Sequence, residues 1–122
     1  MSEQKLPDTL TIHVDGQPRD IFMSFGLLHE LLRVVGDLSG VSVMAIDADL
    51  REKVLVVVLS ERDEKGKIVR EFPFYTARIS AEDVHAIFKW AGSHVLDFFL
   101  TAMEKAVETH QPEQARLHRA ET

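Results

Sequence analysis

Residues 80–108 read SAEDVHAIFKWAGSHVLDFFLTAMEKAVE, and this stretch decides the fold class. Ser80 stands where a helix N-cap belongs. Ser80-Ala81-Glu82-Asp83 resembles a capping box with Asp in place of Glu, and its acids suit the positive end of a helix dipole. At about 100° per residue, Val84, Phe88, Ala91, Val95, Phe98, Phe99, Ala102 and Ala106 fall within roughly 50° of one direction. The spacing therefore predicts a long helix from Ala81 to about Glu108 with that set as its core face. Gly92-Ser93 marks a place for a kink, since a mid-helix glycine costs about 1 kcal/mol relative to alanine.

A second apolar stripe runs beside the first. Leu96, Leu100, Met103 and Val107 recur at alternating four- and three-residue steps, and the two stripes together cover about 200° of the helix's C-terminal half. An ordinary surface helix hides a narrower arc. Either the earlier helices, or the loop between them, fold over this second stripe, or it is a docking face for another chain or another copy. Trp90 falls on the side away from the core face. It either packs beneath Phe72-Pro73-Phe74-Tyr75 or stands exposed as an aromatic anchor.

Toward the N-terminus, Leu10, Thr11, Ile12, His13 and Val14 alternate apolar and polar as a half-buried strand does. Asp15-Gly16 supplies a tight turn, and residues 19–23 return as the second strand of a hairpin that needs helices to lie against. Ser24 then caps a helix over residues 24–35, ended by Gly36. Phe25, Leu28, Leu31, Leu32 and Val35 form its core face, Leu27 and Val34 widen the apolar arc, and His29, Glu30 and Arg33 face water. Residues 49–60 carry two readings. Asp49-Leu50-Arg51-Glu52 is a capping-box pattern that places Leu50, Val54, Val57 and Val58 on one side of a helix. The valine-rich run 54–59 instead suits a buried strand pairing with residues 68–75 across the charged loop 61–67, with Gly66 at its turn. The whole reads as a predominantly helical α+β domain over residues 10–108: a hairpin packed on about three helices. A flexible lead (1–9) and a polar, mobile tail (109–122) flank it.

The composition narrows the function classes. The 122 residues hold 14 Lys and Arg against 20 Asp and Glu, a net charge of −6 with scattered positives, which disfavours nucleic acid and anionic membranes. No apolar stretch is long enough for a signal peptide or a membrane span. The lack of cysteine excludes thiolate metal sites and a Cys nucleophile and suits a reducing compartment such as cytoplasm. Of the six histidines, at 13, 29, 85, 94, 110 and 118, no two share a helical face at ligand spacing, and His94 with Asp97 is a surface contact rather than a metal site. The glycines are dispersed and no serine lies in a nucleophile turn. The carboxylate pairs Asp47/Asp49 and Asp63/Glu64 suit capping and solvation better than acid–base work. A non-enzymatic protein with no cofactor, metal or small-molecule ligand is the expectation.

Three phrases carry a family likeness. Residues 25–31 (FGLLHEL) follow the hairpin; DLRE at 49–52 is followed by LSERDEKGK at 59–67; KW at 89–90 leads to HVLDFFL at 94–100. In this order they resemble the tail assembly chaperones of long-tailed bacteriophages and prophages, over residues 10–106. The resemblance implies a helical form for residues 49–60. It also implies a protein that coats the tape measure protein, recruits major tail (tube) subunits, acts in the cytoplasm of the bacterial host, and is absent from the finished virion. On the helical wheel, contacts with a client or a second copy then fall to Leu96, Leu100, Met103 and Val107, with Leu27, Val34 and Trp90 as further candidates. The alternative is a small prophage regulator or anti-host protein that binds and blocks one host factor.

Overall fold

Asp15 and Gly16 adopt φ of 54° and 81°, and the turn they make joins β1 (Thr9–Val14) to β2 (Gln17–Phe22). The computed structural model describes residues 6–121, with side chains described for residues 6–107. Because the turn holds only two residues, Val14 pairs with Gln17, and β2 begins two residues before the expected Arg19. Ile12 and Ile21 point into the core. The hairpin tip is clamped to the chain before the last helix: Asp15 N–H donates to the Arg78 carbonyl and Arg78 N–H donates to Asp15 Oδ1, both at 2.8 Å. The lead is fixed from Pro7 onward, with Asp8 O accepting from Met23 N–H at 2.7 Å; residues 1–5 lie outside the described residues.

Helix α1 (Phe25–Val35) starts at Ser24, whose Oγ accepts from Leu27 N–H, and stops at Gly36, where φ is 88°. Its buried line is Leu27, Leu31 and Val35. Phe25, expected on the core face, is 78% exposed, because it projects about 120° from that line. A short α2 (Leu38–Val43), for which the sequence carries no helical periodicity, follows at once. Asp37 caps it through Gly40 N–H, and Gly40 is needed there because a Cβ would come within 2.1 Å of the Val35 carbonyl oxygen.

Residues 49–60 fold as a helix, not a strand. α3 (Ala48–Leu59) is capped two residues before the expected Asp49, by Asp47, whose Oδ1 accepts from Leu50 N–H. Val54, Leu55, Val58 and Leu59 are buried, packed with α1, so tertiary burial overrides the strand preference of the valines. Residues 68–70 do find a strand partner, but it is the two-residue β3 (Glu61–Arg62), which pairs with β4 (Ile68–Arg70) through a turn at Gly66.

Ser80 caps the last helix as expected, its Oγ accepting from Asp83 N–H at 3.0 Å. α4 (Ala81–Glu121) runs through Gly92-Ser93 as one helix and on past the predicted end at Glu108. The expected mobility of residues 109–122 lies outside the residues whose side chains are described. The domain is α+β and mostly helical, with a hairpin, three packed helices and a long last one. Among the described residues, no helix is long and apolar enough to cross a membrane.

Candidate protein-binding face on the last helix

The first four turns of α4 bury Ile87, Phe88, Trp90, Ala91 and Val95 against α1, α2 and β1. Trp90 is therefore core, only 6% exposed, on the side of the helix that the wheel assigned away from it. Its indole N–H donates to the Pro7 carbonyl at 2.8 Å, and the His94 Nε2 meets the same oxygen at 2.8 Å. A carbonyl only accepts, so His94 carries its proton on Nε2 in that contact and does not offer that nitrogen to a metal. The wheel failed here because Pro7, from the segment taken as a loose lead, closes over the second side of the helix.

Past Val95 the environment changes within one turn. Phe99 still packs half-buried on the core, but every residue from Leu100 to Val107 is exposed. Phe98, Ala102 and Ala106, expected to be core, are therefore at the surface, because the globule ends where they begin. Leu96, Leu100, Met103 and Val107 are 39%, 50%, 53% and 57% exposed. Of the other candidates, Leu27 is buried in the core at 3% and Val34 is partly buried against it, so neither belongs to an outer face. α1 instead presents Phe25, His29 and Arg33 outward.

The chemistry of α4's outer face reverses along its length. With Leu96 as zero and about 100° per residue, Leu100, Met103 and Val107 lie within about 40° of it, and so, upstream, do Glu82, His85 and Lys89. All three upstream residues are exposed and polar. The opposite reversal occurs about 100–180° away: Trp90 and Ile87 are buried there upstream, and Asp97, Thr101 and Lys105 are exposed there downstream. The apolar arc thus changes sides where the helix leaves its own domain. At the junction, Met44, just after α2, seats its methyl against Gly92, where a Cβ would fall 2.7 Å from it. Val41, Met44, Ala45, Phe88, Gly92 and Leu96 line a shallow groove there of about 390 Å³. The segment between the first helices thus flanks the stripe only at Leu96 and leaves the rest uncovered.

Several polar residues have structural roles that the sequence did not disclose. Glu30, read as solvent-facing, holds Arg62 in a two-pronged pair (Nη1 to Oε2 2.6 Å, Nη2 to Oε1 2.9 Å). Arg62 also donates to the carbonyls of Gly66 and Val57 at 2.9 Å each, which builds the 61–67 loop onto α1 and α3. The Arg19 guanidinium donates to the Ser60 carbonyl, and burial draws its pKa below the ordinary arginine value against the opposing pull of Glu61. Asp63 Oδ1 accepts from Lys65 and Lys67 N–H, and Asp47 caps α3, so both carboxylates are engaged in turn and cap bonds. Among the described residues, no group of three or more His, Asp or Glu is placed to hold a metal ion. Comparison of the chain with known family models, with curated proteins and with solved structures finds no match.

Proposed function

We propose that this protein is a non-enzymatic assembly factor that holds a helical client on the projecting part of α4, and that it acts as a tail assembly chaperone of a long-tailed phage or prophage. One observation carries the binding part: the solvent side of α4 turns from Glu82, His85 and Lys89 to Leu96, Leu100, Met103 and Val107 as the helix leaves the domain. Exposed contiguous apolar surface of this kind marks interaction sites. A helix presented clear of its globule suits a helix-to-helix mode of recognition. The likeness of residues 25–31, 49–67 and 89–100 to the tail chaperones narrows the client to a tape measure protein, with tail tube subunits recruited alongside, in the cytoplasm of a bacterial host.

The test is co-expression with a phage tape measure protein, followed by affinity capture. The wild-type chain retains that protein, and the variant Leu100→Lys/Met103→Lys loses it while keeping its helical circular dichroism. Equal capture by both chains would refute the assignment of the face.

A further inference from the structure

The described part of the outer stripe has the spacing of a coiled-coil seam, with Leu96 and Met103 at one core position and Leu100 and Val107 at the other. Its two flanks differ. On one side lie Phe99 and Ala106; on the other lie Asp97 and Glu104, one heptad apart and both exposed. Resting on the binding role of α4 argued above, we propose that the occupant of this seam is a single amphipathic helix of another protein that carries lysine or arginine beside its own apolar seam.

A second copy of this chain fits poorly in either orientation. Antiparallel seams bring like flanks together, so Asp97 and Glu104 of one copy would meet the same acids of the other. Parallel seams bring unlike flanks together, so the acids would meet Phe99 and Ala106 and find no charge partner. The net charge of −6 adds general repulsion between copies. A helix with lysine or arginine beside its apolar seam satisfies the acidic flank at Asp97 and Glu104.

The probes are two synthetic peptides about four heptads long with the same leucine and isoleucine seam, one flanked by lysine and one by glutamate. Each is titrated by fluorescence anisotropy into the full chain at about 0.1 M salt, where charges one contact apart still interact. The lysine peptide should bind roughly tenfold more tightly, the size of two favourable flank pairs. Asp97→Lys/Glu104→Lys should reverse the order, whereas Glu64→Lys/Glu71→Lys, the same charge change away from the seam, should leave it. A preference that survives the first variant, or vanishes with the second, would overturn the proposal. So would a tight dimer in sedimentation that Leu100→Lys/Met103→Lys dissolves. If the wild type binds both peptides equally and Leu100→Lys/Met103→Lys loses both, the charge preference alone fails. If that variant binds both as well as the wild type, the docking role of α4 fails with it.

Discussion

Replacing Leu100 and Met103 together by lysine should leave the domain nearly as stable as before, although two large apolar residues are lost. Both side chains are about half exposed, and every residue from Leu100 to Val107 is exposed, so little packing beyond their neighbours on the helix is at stake. Lysine matches leucine and methionine in helix propensity to within a few tenths of a kcal/mol. The loss is therefore confined to neighbouring pairs on one helix, about 0.2–0.5 kcal/mol each, or less than about 1 kcal/mol for the double variant. One turn earlier the same helix behaves differently. Ile87 and Val95 are fully buried, so Ile87→Ala should cost about 2–5 kcal/mol, and Val95→Ala should lose two methyl groups, about 1.6 kcal/mol of transfer energy plus a cavity term. Urea denaturation resolves this, because Trp90 is the only tryptophan and is buried, so its emission shifts red on unfolding. A loss above about 1.5 kcal/mol in the lysine variant, at unchanged m-value, would mean that residues 100–107 pack on the domain and would remove the docking face.

Three further outcomes test the packing that presents this face. Gly40→Ala should destabilise the protein by more than about 2 kcal/mol, because its methyl would meet a backbone carbonyl, while Gly92→Ala should fall within about 1 kcal/mol of wild type, since Met44 can swing aside and the helix gains propensity; chemical denaturation of the pair compares them directly. Glu30→Ala should cost about 2 kcal/mol, because it leaves the mostly buried Arg62 guanidinium with two carbonyl partners and no counter-charge, and a larger loss of amide protection at residues 61–67 than elsewhere in hydrogen exchange would locate the effect. The Asp37 carboxylate is held below its ordinary pKa by the Ser39 hydroxyl and then the Gly40 amide, so its contribution is present above the unfolded value of 3.8 and disappears as pH falls through the lower folded value. Asp37→Asn keeps an acceptor at the cap and should flatten that acid limb in a stability-versus-pH series; an unchanged slope would show that another group sets it.

The elements that were legible from the residues are those whose signals are local. Asp15-Gly16 fixes the hairpin turn by its own backbone, Ser24 and Ser80 cap by their own hydroxyls, and Gly36 ends α1 by its own φ. The segment 48–59 was not legible in this way, since its valines favour a strand and only burial against α1 decides for helix. α2 was missed because six residues with a central glycine carry no periodicity to read, and Gly40 is set by close approach to Val35, a contact no window contains. Glu30 and Arg62 are 32 residues apart, so their pairing depends on the fold already existing.

The site follows the same division, and α4 shows why. A helical wheel averages over the whole helix, so it assigned one core direction to a helix that has two environments, and misplaced Trp90 at one end and Phe98, Ala102 and Ala106 at the other. The four seam residues are legible because their spacing is a property of residues 96–107 alone. A helix serving one domain needs a single apolar arc, and lengthening it into water would call for polar residues all round. Here the polar residues go to the arc that Trp90 and Ile87 occupy upstream, and leucine, methionine and valine go to the arc that was wet. Domain stability gains nothing from that exchange. On the proposed reading, the exchange serves association with a second surface approaching from the wet side of the domain.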